Sequence, residues 1–180
     1  MLRFNYPMKY YTIQVKTRSE RKYMKLFKAL HPMSDLEMFF PLKEMPVRKL
    51  GVIKDKTSPI LPGYIFLELD DDDSIRNYYW ELRKTDGFFR FLKSNQDIQP
   101  LTGNSLEVIL YLLKKVGPVA GKSKVVFDEN SRIMVLEGPL KGFEGKIIKV
   151  DKRKGRARVK LDIYDESHSI DLAFEVMGKA

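Results

Sequence analysis

The spacing of apolar residues changes from a period of two to a helical period at the start of the chain. Tyr11, Ile13 and Val15 alternate with polar neighbours, which predicts a β-strand. From Tyr23 the apolar residues recur at i, i+3, i+4 and i+7, which predicts an amphipathic helix. Residues 17–20 (Thr-Arg-Ser-Glu) have the form of a capping box, so the helix is expected to start there.

More strands and two further helices are predicted up to residue 116. Apolar runs bounded by turn residues predict strands at 37–41, 64–69 and 88–92 and a hairpin over 47–54. The run 64–69 is almost continuously apolar, so it is expected at the centre of a sheet. A helix starting at Ser74 leaves Trp80 outside its apolar face, and a last helix stops at Gly117. This order predicts an α+β domain, an antiparallel sheet flanked by helices.

The rest of the chain has a different pattern. Residues 117–126 are mostly small residues, Gly, Pro and Lys, which is the composition of a linker. Short strands are then predicted at 132–136, 145–150, 156–161 and 168–174, with turn residues between them. Such spacing is typical of a small all-β barrel. We therefore expect one domain at 8–116 and another at 127–180, joined by the linker.

Positive charge is concentrated in the second region. The chain has 33 basic and 24 acidic residues, a net charge of +9, and nine of the basic residues against two acidic ones lie within 141–160. The strand at 156–161 alternates apolar and basic residues, so its cations share one face. A basic turn at 152–154 precedes it. This surface suits a polyanion such as nucleic acid, and a simply solvated strand face is the alternative.

Composition excludes several kinds of chemistry. The chain has no cysteine, which excludes disulfides, thiolate catalysis and cysteine-based zinc sites. Its two histidines, His31 and His168, are isolated, and no serine lies in a nucleophile elbow, so no enzyme, metal or cofactor site is predicted. The acidic run 70–73 precedes a helix start, where a solvated turn is favoured over a metal site. No apolar segment reaches the ~20 residues that cross a bilayer, so no membrane contact is expected.

Four short segments carry a family resemblance. They are residues 10–11 (Tyr-Tyr), 61–67 (Leu-Pro-Gly-Tyr-Ile-Phe-Leu), 99–102 (Gln-Pro-Leu-Thr) and the KOW-like stretch 133–147. In this order they resemble the NusG family of transcription elongation factors, with an N-terminal (NGN) domain and a KOW domain. The resemblance implies an SH3-like barrel for the second domain. It also implies a monomeric, cytoplasmic, bacterial protein that is not an enzyme.

The resemblance further implies a binding site for RNA polymerase. In NusG-like proteins an apolar depression of the NGN domain binds the clamp helices of the polymerase. Carried over to this chain, the residues expected there are Tyr11, Pro62, Tyr64, Phe66 and Phe91. The second helix lies where specialised members contact the opposite side of the cleft or the non-template DNA strand. The candidates for that contact are Arg76, Trp80 and Arg83.

With its dense basic strand and turn, the chain resembles specialised paralogues of the LoaP antiterminator type. In these proteins the KOW domain binds a hairpin in the nascent leader RNA. The RNA-binding residues are then expected to be Lys146, Lys149, Lys152, Arg153, Lys154, Arg156, Arg158 and Lys160. One alternative is a housekeeping factor whose KOW domain recruits Rho or a ribosomal protein. Another is an RfaH-like regulator whose C-terminal domain switches to a helical hairpin, although the alternation at 156–161 favours strand.

Overall fold

A computed structural model describes residues 8–70 and 75–178. The predicted helix start at Ser74 and most of the acidic run 70–73 lie outside the described residues. The described chain forms two compact units. One consists of the chain up to Phe40 with Pro62–Leu106, and the other of Pro41–Leu61 with the chain from Glu107 on.

Twelve strands and three α-helices are present in the described residues. The strands are β1 (Lys9–Val15), β2 (Glu37–Phe39), β3 (Leu42–Lys49), β4 (Val52–Pro59), β5 (Tyr64–Leu69), β6 (Phe88–Leu92), β7 (Val119–Ala120), β8 (Ser123–Phe127), β9 (Ile133–Glu137), β10 (Ile147–Asp151), β11 (Arg156–Ile163) and β12 (Glu166–Val176). The helices are α1 (Glu20–Leu30), α2 (Tyr79–Lys84) and α3 (Gly103–Leu110). This confirms the predicted fold class, an α+β region followed by a β-rich C-terminal region.

The first unit is built on an antiparallel sheet in the order β2–β5–β1–β6. Ile65, Phe66 and Leu67 of β5 are fully buried, as expected for a central strand with a continuous apolar run. One face of the sheet packs with Tyr23 and Phe27 of α1 in a hydrophobic core. These apolar side chains hold the helices on the sheet because their burial removes a large apolar area from water.

Helix α1 does not start with the capping box that the sequence suggested. Its N-cap residue is Ser19, whose side chain makes no capping hydrogen bond. The buried Glu20 carboxylate instead accepts hydrogen bonds from the backbone N–H groups of Arg18 and Gly63. The acid therefore joins the first turn of the helix to the turn before β5.

The other two helices also end or begin with irregular turns. The predicted second helix consists of a 3-10 turn, Ile75–Tyr78, followed by α2. Trp80 is 62% exposed, which confirms that it lies outside the apolar face. Helix α3 continues as a π-helical turn, Tyr111–Lys115, and Gly117 follows with a φ of +87°, as predicted for a C-terminal stop. No described helix is long and apolar enough to cross a membrane.

The second unit contains two sheets. Strands β4, β3 and β7 form a small sheet in that order, in which β3 and β4 are antiparallel and β7 pairs with β3 at Leu42 and Lys43. The other sheet has the order β10–β11–β12–β8–β9. In this structure the C-terminal region is therefore in the strand form, not in the helical form of the fold-switching alternative.

Two predictions of local structure need correction. The hairpin is longer than the predicted 47–54, since it extends over β3 and β4 and belongs to the unit that holds the C-terminal strands. The segment 117–126 contains β7 and most of β8, although its composition indicated a linker. Val119 in β7 and Val125 in β8 have β-branched side chains, which favour strands. The small residues and glycines around them gave the segment the composition of a linker. The domain boundaries themselves stay a prediction.

Candidate functional site

The predicted basic strand is β11, and its side chains alternate as expected. Ala157, Val159 and Leu161 are fully buried, whereas Arg156, Arg158 and Lys160 are on the opposite, solvent-facing side. This confirms the prediction of one basic face. It also places the cations of β11 beside those residues of β10 and β12 that face the same way.

The neighbouring strands contribute one cation, Lys149, and two acids, Asp151 and Asp171, to this face. Arg158 pairs with Lys149 of β10 on one side and with Asp171 of β12 on the other. Lys149 and Lys160 are exposed and make no ion pair within the described part of the chain. We call Lys149, Arg156, Arg158 and Lys160 the basic row. Its charge is interrupted at its centre by Asp171.

Asp171 holds the two arginines of the basic row. The Arg158 guanidinium donates two hydrogen bonds to the Asp171 carboxylate, from Nε at 2.7 Å and from Nη2 at 3.2 Å. Arg156 Nη1 is 3.5 Å from the same carboxylate, and its Nε is 3.8 Å from Asp151. The hydrogen bond with Arg158 holds the pKa of the Asp171 carboxyl below its ordinary value and raises that of Arg158. These two cations are thus partly neutralised within the protein.

A further lysine reaches this cluster from the hairpin. Lys43 of β3 donates a hydrogen bond from Nζ to the backbone carbonyl of Asp171 at 2.7 Å. Burial lowers the pKa of Lys43, while the Asp171 carboxylate raises it and the two arginines lower it. Lys43 is thus a further basic side chain beside the row. It was not among the predicted residues.

The turn between β10 and β11 presents three more cations. Asp151 accepts a hydrogen bond from the backbone N–H of Lys154 at 3.0 Å, and Gly155 closes the turn with a φ of +57°. This leaves Lys152, Arg153 and Lys154 exposed. Lys152 Nζ lies 3.9 Å above the Phe127 ring centroid, a cation–π contact that orients it.

Lys146 stands apart from the other predicted RNA-binding residues. It lies in a 3-10 turn, Glu144–Lys146, before β10, with Nζ 5.9 Å from the Phe143 ring centroid. It is half-buried and has further interactions of its own. The structure therefore brings seven of the eight predicted residues onto the row and its adjoining turn.

The second candidate surface is an aromatic and cationic cluster on α2. The Arg83 guanidinium lies 5.2 Å from the ring centroid of Tyr79 and 5.6 Å from that of Trp80, and it donates a hydrogen bond to the Tyr79 hydroxyl at 2.6 Å. Tyr79 in turn stacks on the buried Phe91 at 5.2 Å. The predicted pair Trp80 and Arg83 is thus one contiguous group. Arg76 is exposed in the preceding 3-10 turn.

The five residues predicted to bind polymerase do not share one surface. Tyr11 and Phe91 belong to the core on the helix-covered face of the sheet. Tyr64 and Phe66 alternate with core residues of β5 and so lie on the opposite face, paired with β1 residues of that face. Pro62 is exposed in the turn before β5, while Phe66 and Phe91 are fully buried. The five residues thus lie on two faces of the sheet, because strands have a period of two, and their role in binding polymerase stays a prediction.

Comparison with protein families identifies the fold. A family model described as "Transcription termination factor nusG" matches residues 8–110, more than half of the chain. A KOW motif matches residues 129–162. The chain belongs to the NusG family. The NusG family is a family of transcription factors. Separately, the described residues hold no group of three or more His, Cys, Asp or Glu side chains that could bind a metal ion.

Curated NusG proteins are similar over most of their length. The chain is 26% identical over 148 residues to the "Transcription termination/antitermination protein NusG" of Thermus thermophilus, covering 80% of each chain. It is 28% identical over 152 residues to the protein of that name from Buchnera aphidicola of Acyrthosiphon pisum, covering 83% of this chain and 82% of the other. Against the Escherichia coli K12 protein the identity is 26% over 155 residues, with 84% and 83% covered.

A solved structure of a NusG protein shares the fold. It is described as "Domain interaction in Thermotoga maritima NusG", with a TM-score of 0.50 and 17% identity. The match covers 92% of this chain and 93% of that one. At this identity the likeness supports the fold alone.

Sequence reasoning missed the two residues that most alter the basic row of this NusG-family chain. Asp171 is 13 positions from Arg158 and becomes its neighbour only through the β11–β12 register. Lys43 reaches the same place from the hairpin, 128 positions away. The sequence feature that could have identified Asp171 is the turn between β11 and β12, because this turn sets the register of the two strands. The sequence predicted this turn at 165–167. In the structure Ile163 pairs with Glu166, so the turn is at Tyr164–Asp165.

Proposed function

We propose that this NusG-family protein is a specialised transcription elongation and antitermination factor. Its N-terminal region binds RNA polymerase, and its C-terminal strands bind a structured nascent leader RNA. The observation that carries the RNA proposal is the basic row together with the adjoining turn 152–154. Working with polymerase, the protein would act as a monomer in the bacterial cytoplasm.

Structured RNA is the polyanion that fits this surface best. Lysines and arginines on a strand face and a turn engage phosphates along a helix or at a distorted loop. Arg153 and Lys154 project from the turn and Lys149 and Lys160 from the strands, so contacts spread over a surface that spans several phosphates. Arg158 would become available to RNA when it leaves Asp171.

The proposed polymerase contact is centred on the exposed turn at Pro62. Clamp helices of polymerase are the expected partner. Tyr11, Tyr64, Phe66 and Phe91 are all buried and are proposed to support this site from the two faces of the sheet. A photo-crosslinking amino acid at position 62 is expected to link to the clamp helices, whereas the same group at the exposed Lys28 of α1 should not. Equal crosslinking from both positions would contradict the assignment.

The proposed contact with non-template DNA uses the group Arg76, Trp80 and Arg83. An exposed indole beside a guanidinium offers a stacking platform for an unpaired base and a cation for its phosphate. Trp80→Ala should reduce crosslinking to a non-template strand in a reconstituted elongation complex. It should leave binding of polymerase alone unchanged, since Trp80 is exposed and does not belong to the core.

The decisive experiment titrates the full-length protein against a leader RNA hairpin, single-stranded RNA and duplex DNA at several salt concentrations. The test variant is Arg153→Gln/Lys154→Gln/Lys160→Gln. The control is Arg21→Gln/Lys25→Gln/Lys28→Gln on the exposed face of α1, with the same loss of charge and the same residue types. Only the test variant should lower the salt slope, by up to about 2.7 in a duplex-like site. Unchanged slopes, or equal losses in both variants, would refute RNA binding by this surface.

A protein-recruiting KOW domain is the second candidate. The pairing of Arg156 and Arg158 with Asp171 favours it, because it reduces the charge that the surface offers to a polyanion. In that case the domain would bind Rho or a ribosomal protein and show no preference for hairpin RNA. Capture of either purified protein, without RNA affinity, would decide for this alternative.

A further inference from the structure

The hairpin of β3 and β4 ends in an unusual turn. Lys49 pairs with Val52, which leaves Leu50 and Gly51 as a two-residue loop. Both have positive φ, +51° and +80°, as a type I′ turn requires. Asn or Gly normally occupies the first of these positions, because positive φ is unfavourable for a side chain such as that of leucine. Leucine at this apex therefore has no local conformational advantage.

The same leucine is also almost fully exposed to solvent. Leu50 is 95% exposed, the highest value among the large apolar side chains of the described residues. Val52 and Ile53 beside it are 54% and 60% exposed, and Val47 is 42% exposed. We call residues 46–54 the hairpin tip. An apolar apex that is both strained and solvated indicates a partner that covers it.

The charge of the hairpin tip identifies the kind of partner. The tip contains Arg48, Lys49 and Lys54 and no acidic residue. All three cations are exposed, and none makes an ion pair within the described residues. The next residue, Asp55, is an acid, but Lys122 holds its carboxylate at 2.9 Å. The tip is thus a purely cationic element, which suits a polyanion.

Both faces of the ribbon carry this mixture. Arg48 and Ile53 are paired and share one face. Val47 with Lys54, and Lys49 with Val52, form the pairs of the other face. A docking site for a protein would concentrate apolar residues on one face. Apolar and basic groups on both faces fit an arm whose apex alone enters a groove, while the cations of its two faces reach the phosphates on either side.

The base of the hairpin is held while the tip projects. Strand β7 pairs with β3 only at Leu42 and Lys43. Lys49 lies six residues beyond Lys43, a distance of about 20 Å along an extended strand. The apex is therefore far enough from the base of the hairpin for the Leu50 side chain to enter the minor groove of B-form DNA, which is about 6 Å wide and 7.5 Å deep.

We propose that the hairpin tip is a binding arm for duplex DNA. Leu50 enters the minor groove against a base step, and Arg48, Lys49 and Lys54 contact the phosphates on either side. Proteins that bind and bend DNA through the minor groove commonly insert apolar side chains between base steps and contact the DNA with nearby cations. The minor groove of A-form RNA is wide and shallow, so a narrow ribbon would be gripped less well there. This site is separate from the basic row and does not depend on RNA binding by it.

The test uses full-length protein and duplex DNA containing 2-aminopurine, whose fluorescence rises when its base step is unstacked. Wild-type protein should bind and raise the fluorescence. Leu50→Ser should abolish that rise while keeping most of the salt-dependent binding. Arg48→Gln/Lys49→Gln/Lys54→Gln should reduce the magnitude of the salt slope by up to about 2.7.

Two matched controls separate these effects from general changes. Leu30→Ser removes a leucine that is 54% exposed at the end of α1, and Arg21→Gln/Lys25→Gln/Lys28→Gln removes the same charges from α1. Neither should change the fluorescence, and the charge control should change the slope less than the tip variant. Equal effects of tip and control variants would overturn the proposal. So would loss of polymerase binding with unchanged DNA binding, or equal losses for duplex DNA and duplex RNA.

Discussion

Replacing Asp171 by asparagine tests whether an acid inside the basic row limits its affinity for RNA. Asp171→Asn keeps the size of the side chain and removes the negative charge that holds Arg158 and approaches Arg156. The backbone carbonyl that accepts from Lys43 is unaffected. We therefore expect the hairpin RNA to bind the variant more tightly, because Arg158 becomes available to a phosphate.

The expected size of the effect follows from one gained phosphate contact. Each contact adds up to about 0.9 to the slope of log K against log salt concentration for a duplex, and about 0.7 for a single strand. A fourfold rise in salt therefore changes the contribution of this contact by about 3-fold. The advantage of Asp171→Asn over wild type should shrink by that factor from 50 to 200 mM salt.

The matched control is Glu175→Gln, which removes one acid from the same strand, β12. Glu175 is exposed and contributes to the electrostatic surroundings of Lys122 and Lys124, not of Arg158. Fluorescence anisotropy of a labelled RNA hairpin with each full-length variant gives affinity and slope. A gain that is equal in both variants would show a general charge effect. A weaker affinity of Asp171→Asn would refute the idea that Asp171 competes with RNA.

Three further predictions concern stability and are measured by urea denaturation. Gly155→Ala should lower the free energy of unfolding by about 2 kcal/mol, because the φ of Gly155 is +57° and a Cβ there would lie 2.9 Å from a carbonyl oxygen of β12. Gly145→Ala should lower it less, because a Cβ at position 145 would meet no atom within 4 Å. Tyr23→Phe should cost roughly 1–2 kcal/mol, since the buried carbonyl of Leu82 loses its hydrogen bond. Burial lowers the pKa of His168, so the folded state binds fewer protons than the unfolded state as pH falls below about 6.5. Wild type should therefore lose more stability than His168→Gln in that range. An equal loss in the two proteins would contradict this prediction.

Elements with strong periodicity were predictable, and elements with a mixed composition were not. Strand β5 is buried on both faces, so its apolar run is continuous. Strand β11 is buried on one face only, so its apolar and polar residues alternate. Both patterns are visible in the sequence. The full hairpin was not visible because Pro46, Pro59 and many charged residues argue against a strand. Pro46 lies beyond the residues of β3 that pair with β7, at an edge where its missing N–H is tolerated.

The candidate RNA surface was half predictable for a similar reason. Which cations share a face follows from the period of β11 alone. Which acid lies opposite them depends on the register, and one turn sets it. With the expected turn at 165–167, Arg158 would face Phe174; with the observed turn at Tyr164–Asp165 it faces Asp171. A shift of the turn thus exchanges an aromatic neighbour for an ion pair.

The second compact unit is assembled from two separated stretches of chain, and this affects how it forms during synthesis. Residues 41–61 leave the ribosome long before the segment that contains Asp171. At typical translation rates of about 5–20 residues per second, the 109 intervening residues take on the order of ten seconds. Lys43 lacks its partner Asp171 for the whole of that interval, and Asp55 lacks Lys122 for roughly the first half of it. The nascent hairpin is then exposed to chaperones and to non-native pairing, and the formation of β12 ends that vulnerable period.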